Sequence, residues 1–253
     1  MSISRRNLVV GSAATLASAS AVGAAFHFAG RYGLIPPDHT GILGVGKSLT
    51  YASQRLLTSN QSLAREFTRD KISKIHPVNG LPPELDMYRD FAASGFQDWR
   101  LEIGGLVERP MSFSLTELKS MPMETHITLH ACEEGWSYIA EWIGVRLSHV
   151  LDLVGTRPEA RYAVFMPFAN ANQGVTRVLW SSIDMAEAFH PQTLLAYGMN
   201  GEELPAGHGA PIRLRLARQL GYKNTKYLYR ITVIDDMAAA NDPARRGPWY
   251  GGI

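Results

Sequence analysis

The sequence predicts an α+β fold with a mostly β core, and two observations support this class. Predicted strands outnumber predicted helices, and the helices are short connectors between strands. The chain has 253 residues, with 25 Lys plus Arg and 23 Asp plus Glu, a formal net charge of +2. This near balance, without runs of like charge, argues against nucleic acid as a partner.

The first thirty residues, 1–30, are predicted to direct export. Arg5 and Arg6 precede an uncharged run rich in Ala, Ser and Val, which is typical of a twin-arginine signal. Small-x-small sites within the run allow cleavage, so a periplasmic location is expected. The run from Leu8 to Ala29 also has the roughly 20 residues that span a bilayer, so a retained membrane anchor is the second interpretation. A disordered N-terminus with a chance Arg pair is the third.

The rest of the chain divides into three predicted regions. Residues 31–98 are rich in Pro, Gly and Ser, and we expect an extended arm that wraps the core. Within this arm, Tyr51–Arg69 is a predicted helix and Ile75–Asp86 a predicted loop. Residues 99–240 form the predicted core, and residues 241–253 form a C-terminal tail.

Seven strands are predicted in the core; the first and third alternate apolar and polar residues, and the fourth is predicted to be buried. They are Trp99–Ile103, Leu106–Phe113, Thr125–Cys132, Arg161–Pro167, Leu194–Tyr197, Ile212–Leu216 and Tyr227–Asp235. Ser114 with Glu117 three residues later predicts a helix that begins with a capping box. A second helix is predicted over Leu147–Leu153, ended by Gly155, and a third begins at Ser181–Asp184.

Cys132 is the only cysteine in the chain, so it has no internal disulfide partner. Polar and small neighbours favour a chemical role for the thiol over packing. Side chains two apart in a strand share a face, so His126, Thr128 and His130 should point the same way as the thiol. These groups could bind zinc with a fourth ligand, or His126 or His130 could activate the thiol in a hydrolase. A polar strand face under a loop is the structural alternative.

The segment after the cysteine resembles the sulfite oxidase family of molybdenum enzymes. In that family, Cys-x-Glu-x-Trp followed by Trp-x-Gly-x-x-Leu is the hallmark of the molybdenum-ligating segment. The matching residues here are Cys132, Glu134, Trp136, Trp142, Gly144 and Leu147. The resemblance implies a sulfite-oxidase-type molybdopterin-binding fold, with Cys132 as metal ligand and catalytic residue. A soft thiolate suits a soft metal centre.

A second block resembles the family segment that holds the pterin and its phosphate. It comprises Gly201–Pro205, Gly209–Arg213 and Gly221–Lys226. The resemblance places Arg213 and Lys226 on the phosphate, where a forked donor and a point charge both fit. The implied cofactor-binding residues are Asn60, Arg65, His130, Cys132, His208, Arg213, Asn224, Thr225 and Lys226. His208 stands where the exported methionine sulfoxide reductase branch, the most similar one, usually has Asn.

The resemblance implies an exported oxidoreductase with molybdenum on a single pyranopterin. The family chemistry is two-electron oxygen-atom transfer, either reducing a sulfoxide-like substrate, small or protein-bound, or oxidising sulfite. Because the sequence has no Cys-x-x-Cys-His haem motif, we expect a separate redox partner such as a membrane haem protein. Sulfite oxidases proper dimerise through an immunoglobulin-like domain; none is recognised here, so a monomer is expected. A degenerate member that only binds is the remaining alternative, because Met166-Pro167 replaces a threonine contact of the family.

Overall fold

The computed structural model describes residues 62–168 and 180–235. Five residues before them are also described, all helical: Gly46, Leu49, Thr50, Ala52 and Ser53. The chain divides into two compact units, Met1–Ser59 and Asn60–Ile253. The predicted export signal, the C-terminal tail and Asn60 lie outside the described residues. No helix in the described part combines the length and apolar character needed to cross a membrane.

The second unit contains two sheets of five strands each. The strands of the first sheet are β1 (Arg100–Gly105), β2 (Met111–Ser114), β5 (Tyr162–Pro167), β6 (Ser181–Asp184) and β10 (Leu228–Ile234). They lie in the order β2-β1-β10-β5-β6. β1 and β10 pair in parallel, whereas the other neighbours pair antiparallel. β10, the last of these strands in the sequence, therefore lies in the middle of its sheet.

The second sheet carries most of the candidate site. Its strands are β3 (Met123–Ala131), β4 (Ser137–Arg146), β7 (Thr193–Met199), β8 (Glu202–Glu203) and β9 (Arg213–Leu216). The order is β3-β4-β7-β8, and β9 also pairs with β7. All of these pairs are antiparallel. The β3–β4 hairpin and the short strand β9 bring the predicted cysteine and phosphate-binding segments into one sheet.

The described part of this unit has four short α-helices, of which the last three connect strands. They are α1 (Asp86–Ala93), α2 (Leu115–Ser120), α3 (Leu147–Val154) and α4 (Met185–Ala188). The capping box predicted for α2 is confirmed. The Glu117 amide donates to the Ser114 hydroxyl at 3.1 Å, and the Ser114 amide donates to the Glu117 carboxylate at 2.7 Å. α3 also ends as predicted, at Gly155, whose φ of 69° is in the region that favours glycine.

The larger hydrophobic core packs α3 against the sheets. α3 buries Leu147, Val150, Leu151 and Val154, the i, i+3, i+4, i+7 stripe of an amphipathic helix. A smaller cluster joins β4 to β7. It consists of Tyr138, Ala140, Trp142, Leu194, Ala196, Met199 and Leu204. Because Tyr138 also lines the cavity described below, this cluster forms part of the base of the site.

The fold class is confirmed, but three local predictions are wrong. The predicted helix Tyr51–Arg69 does not reach its proposed end, because residues 62–68 are not helical and Glu66 bridges Thr128. Ser181–Asp184 is strand β6 rather than the start of a helix, because it pairs with β5 and is fully buried. Asp184 instead caps the following α4, accepting from the Glu187 amide at 2.8 Å. The predicted strand Leu106–Phe113 is limited to β2, so the segment before Met111 is not regular strand.

Candidate active site

A cavity of about 660 Å³ opens at the end of β3. Seven of the nine predicted cofactor-binding residues line it: His130, Cys132, His208, Arg213, Asn224, Thr225 and Lys226. Asn60 lies outside the described residues. Arg65 is not among the residues that line the cavity, and its guanidinium lies 4.9 Å from the centre of the Phe67 ring. The contact of these two residues with a cofactor stays a prediction.

The buried face of β3 is its polar one. Thr128, His130 and Cys132 are 1%, 4% and 8% exposed, whereas Leu129 on the opposite face is 44% exposed. This arrangement matches the predicted shared face. The inversion of the usual apolar-inside pattern has a local cause, because the polar face is turned toward the cavity and the buried Arg215.

His126 belongs to the same strand but not to the cavity lining. Its Nδ1 lies 2.7 Å from a Glu66 carboxylate oxygen, and that oxygen also accepts from the Gln192 amide at 2.9 Å. The imidazole therefore joins β3 to the arm at Glu66. It is not placed beside the thiol.

The thiol lies at the tip of the β3–β4 hairpin. The Cys132 amide donates to the Trp136 carbonyl at 2.9 Å, and the Gly135 amide donates to the Cys132 carbonyl at 3.1 Å. Gly135 has a φ of 92°, which residues with a side chain rarely adopt. This tight turn fixes the cysteine backbone at the edge of the cavity.

Carboxylates, not imidazoles, surround the sulfur. Cys132 Sγ lies 3.5 Å from a Glu133 carboxylate oxygen and 4.0 Å from a Glu134 carboxylate oxygen. Burial and the neighbouring negative charges raise the pKa of the thiol. A free thiol in this environment is a poor nucleophile, because the thiolate is the reactive form. The geometry thus gives no support to a cysteine-nucleophile hydrolase.

The zinc alternative also lacks a ligand set. In residues 62–168 and 180–235, no group of three or more His, Cys, Asp or Glu side chains is arranged to hold a metal ion. His130 shares the cavity wall with Cys132, whereas His126 pairs with Glu66 instead. Of the three predicted zinc ligands, only Cys132 and His130 line the cavity, which is fewer than the three protein ligands of a catalytic zinc site.

Segment Gly221–Lys226 packs directly on the cysteine strand. A Cβ atom at Gly221 would lie 3.2 Å from Cys132 Cα and 3.2 Å from His130 Nε2, so only a glycine fits without displacement. The Tyr222 amide donates to the Glu133 carboxylate at 3.1 Å. These contacts hold the two sequence blocks, far apart in the chain, against one another.

Two cations lie in the wall beyond the thiol. The Arg213 guanidinium is 3% exposed and donates to the His208 and Asn224 carbonyls at 2.9 and 3.0 Å. The Lys226 ammonium donates to the Gly207 carbonyl at 2.9 Å. Burial, and for Lys226 also the nearby guanidinium, lowers the pKa of both groups, for Lys226 to about 8.

No carboxylate of the described residues balances the charge of this pair. Within the described ranges, neither Arg213 nor Lys226 forms an ion pair with an Asp or Glu, and Arg213 Nε has no hydrogen-bond partner. A buried cation without a counterion is costly unless an anion compensates it. The wall is therefore suited to an anionic ligand such as a phosphate.

The two histidines of the cavity are neutral at pH 7. Burial lowers the pKa of His208 to about 4, and the nearby Arg213 and Lys226 contribute to this shift. Burial likewise lowers the pKa of His130, together with the charges of Arg215 and Arg213. A neutral imidazole offers one donor and one acceptor, so both rings could bond to the heteroatoms of a pterin.

Asn224 and Thr225 have protein partners for their side chains. The side-chain oxygen of Asn224, Oδ1, accepts from the Leu216 amide at 2.7 Å and from the Arg215 guanidinium at 3.0 Å. The Thr225 hydroxyl lies 2.6 Å from the Ser181 hydroxyl. Both residues shape the segment that lines the cavity, and direct contact of their side chains with a phosphate stays a prediction.

Sequence reasoning missed Arg215, Glu133 and the loop 77–84 as parts of the site. Arg215 lies two residues after Arg213 in β9, so strand alternation places both on one face. Both guanidiniums lie 5.1 Å from the centre of the Trp142 ring. The two-residue spacing from Arg213 could have predicted that Arg215 lies near the site. Nothing in the sequence of loop 77–84 predicts that it lines the cavity.

Comparison with known proteins agrees with this site. Residues 89–241 match the family described as "Oxidoreductase molybdopterin binding domain", which is more than half of the chain. The chain is 36% identical over 197 residues to the putative protein-methionine-sulfoxide reductase subunit YedZ1 of Azospira oryzae, covering 78% of this chain and 70% of that protein.

Two further similar proteins extend the comparison. The protein-methionine-sulfoxide reductase catalytic subunit MsrP of Ralstonia nicotianae is 35% identical over 145 residues, covering 54% of this chain and 44% of MsrP. The sulfane dehydrogenase SoxCD from Paracoccus pantotrophus superposes with a TM-score of 0.51 and 26% identity, covering 55% of this chain and 39% of that one. The chain thus spans less than half the length of that MsrP.

The residues present fit a molybdenum cofactor. Arg213, which has no carboxylate partner among the described residues, shares one cavity with the Lys226 ammonium, the Cys132 thiol and two neutral imidazoles. This set supplies cations for a phosphate, hydrogen-bonding groups for a pterin and a soft ligand for the metal. The sulfite-oxidase-type fold, the matched residues and this site agree: the chain belongs to the oxidoreductase molybdopterin-binding domain family.

Proposed function

We propose that this protein reduces sulfoxides, in particular methionine sulfoxide residues of proteins. The sulfoxide takes up two electrons and two protons, its S–O bond breaks, and a thioether and water are released. The substrate class follows the names of the reductase relatives. We further propose that the protein acts in the periplasm after twin-arginine export, as a monomer supplied with electrons by a separate partner such as a membrane haem protein.

The proposed cofactor is molybdenum on a single pyranopterin. Cys132 would be its thiolate ligand, and Arg213 and Lys226 would hold its phosphate. When bound, the cofactor supplies the two-electron oxygen-atom transfer chemistry at the metal. The chain itself fixes the thiol in the hairpin turn, presents neutral His130 and His208 to the pterin, and offers cations to the phosphate.

One observation carries the choice of a sulfoxide over sulfite, and it is the charge beside the thiol. The Glu133 side chain is exposed and lines the cavity, and one of its carboxylate oxygens lies 3.5 Å from the sulfur. Unlike Glu134, Glu133 is not part of the Cys-x-Glu-x-Trp motif. Like unit charges about 4 Å apart repel by about 1 kcal/mol in water and about 4 kcal/mol near a protein surface. Sulfite is an anion and would meet this repulsion, whereas a sulfoxide is neutral.

The first experiment is metal and pterin analysis of the protein produced in a molybdenum-competent host. We expect equimolar molybdenum and pterin in the parent protein. In Cys132→Ser, the pterin should be retained through the phosphate cations, while sulfoxide reduction is lost. Well-folded parent protein that contains zinc or no metal would exclude the oxidoreductase function and favour a hydrolase or a degenerate binding protein.

The second experiment separates the two directions of oxygen transfer. Supplied with a chemical electron donor, the enzyme should reduce methionine sulfoxide in an oxidised protein. Supplied with an electron acceptor, it should oxidise sulfite far more slowly. Glu133→Gln should lower the KM for sulfite more than the KM for the neutral sulfoxide. Efficient sulfite oxidation by the parent, unaffected by Glu133→Gln, would contradict the proposed substrate class.

A further inference from the structure

Arg215 lies behind the cavity wall and joins two segments that carry the site. Its side chain is among the largest that are fully buried, at 1% exposure. On one side, Nη2 donates to the Thr128 hydroxyl at 2.9 Å and to the Leu129 carbonyl at 2.8 Å, both in β3. On the other side, Nη1 donates to the Asn224 side-chain oxygen at 3.0 Å. One guanidinium fork thus spans the cysteine strand and the segment Gly221–Lys226.

Every acceptor of this guanidinium is neutral. The fourth is the Leu216 carbonyl, at 2.8 Å from Nη1. In the described part of the chain, no carboxylate oxygen lies within 4.0 Å of Arg215 as an ion-pair partner. Because burying a cation is costly, an apolar side chain would stabilise a purely structural junction better. Arginine has the geometric property that an apolar residue lacks, a rigid fork that fixes two backbones at set distances.

Two direct contacts between the segments lie near the sulfur. Gly221 packs on Cys132 Cα, and the Tyr222 amide binds Glu133, both at the hairpin tip. Arg215 supplies the second point of attachment, at Thr128 and Leu129, three to four residues before the cysteine. With the tip contacts, Arg215 attaches the two segments directly to each other at two separated points.

We propose that Arg215 is a positioning residue that fixes the cysteine-bearing end of β3 relative to the cofactor-binding segment Gly221–Lys226. The inference rests on the proposed function, because it assigns to these two segments the metal ligand and the phosphate contacts. Arg215 acts through its fork and not by touching the substrate. The Arg215 guanidinium also lies 5.1 Å from the centre of the Trp142 ring, as does that of Arg213.

The test compares Arg215→Lys and Arg215→Met with the parent holoenzyme. Lysine keeps the charge but has no fork, and methionine keeps bulk without charge. Arg218→Lys is the matched control, because Arg218 has a side chain only 10% exposed and pairs with Glu187 and Ser62, outside the cavity lining. The measurements are metal and pterin content, the electron paramagnetic resonance spectrum of the metal centre, and kcat and KM for methionine sulfoxide.

We expect both Arg215 variants to have an altered resonance spectrum. Their kcat should fall about tenfold with little change in KM, because misplacement by about 1 Å can cost about a hundredfold in rate. Arg218→Lys should keep the parent spectrum and kcat. Parent-like spectra and kcat in both Arg215 variants, or equal changes in Arg218→Lys, would overturn the proposal.

A second variant covers the case in which Arg215 variants do not fold. Thr128→Val removes one acceptor of the fork with almost no change in shape, and it should alter the spectrum in the same direction by a smaller amount. A parent spectrum in Thr128→Val would then overturn the proposal. Failure of the proposed function is distinguishable, since it shows in the parent itself, as a lack of molybdenum or of sulfoxide reduction. In a parent that contains molybdenum but does not reduce sulfoxide, the spectral comparison between variants still tests Arg215.

Discussion

Gly144 is the position at which the structure makes the most demanding prediction about stability. It lies in β4, where the pairing with β7 changes register between Ile143 and Gly144. A Cβ atom there would lie 2.3 Å from the Leu195 carbonyl oxygen, whereas ordinary contact begins at 3.4 Å. Gly144→Ala would therefore force two paired backbones apart by about 1 Å, and no rotamer change can relieve the contact.

We expect Gly144→Ala to destabilise the protein by about 3 kcal/mol, the upper end of the usual cost of overpacking. For a domain of this size, that corresponds to a melting temperature about 6 to 12 °C lower. The measurement is chemical and thermal unfolding of variants with equal cofactor content. Gly104→Ala is the matched control, because Gly104 lies in β1 and a Cβ atom at this position would have no neighbouring atom within 4 Å.

The control variant should be as stable as the parent, or more stable by up to about 1 kcal/mol, because alanine restricts the unfolded chain. The reasoning would be refuted by a Gly144→Ala protein that unfolds at the same denaturant concentration as Gly104→Ala. The hallmark glycine would then have a role other than close backbone approach.

Two further predictions concern a buried amine and a helix cap. Burial lowers the pKa of Lys223 to about 7 from 10.5, so the unfolded chain binds more protons between these values and the stability of the parent rises with pH there. Lys223→Met should therefore be more stable than the parent below pH 7 and lose this advantage toward pH 10.5. Urea unfolding of both proteins at several pH values measures the difference in their free energies of unfolding. A difference that does not change with pH would contradict the prediction. Ser114→Ala should cost about 1 kcal/mol in the same assay through loss of the α2 capping box, whereas Ser114→Thr should stay near the parent.

Local chemistry made part of the fold predictable. Ser114 and Glu117 predict the start of α2, and Gly155 predicts the end of α3, because helix capping depends on residues close in sequence. The alternation in β3 was correctly assigned to a strand. The polar face of that strand also marked the site, although the sequence could not tell that this face is the buried one.

Tertiary context decided the elements that sequence patterns missed. β4 was not predicted as a strand, because Ala140, Glu141 and Trp142 are buried in succession and give no alternation. Helix α1 begins at Asp86, where the sequence predicted only the end of a loop, since Leu85 at its N-cap offers no side-chain signal. In both cases, packing against distant segments overrides weak local preference.

The residues of the candidate site likewise fall into those that the sequence predicted and those that it did not. Cys132 and the cationic block were identified through motifs that are contiguous in the sequence. Arg215 was not, because its acceptors at Thr128, Leu129 and Asn224 come from segments that meet only in the folded protein. The many basic residues near position 213 indicated a cationic region. Which segments Arg215 contacts became clear only from the arrangement of the strands in the sheet.

The central place of β10 has a consequence for how the protein is made. β1 and β5 cannot be joined until β10 inserts between them, because β10 pairs with β1 on one side and β5 on the other. Synthesis delivers β10 last of the ten strands, so the first sheet closes only after nearly the whole described domain has left the ribosome. β10 is not part of the second sheet, so the strands that carry most of the candidate site are all synthesised before the first sheet can close.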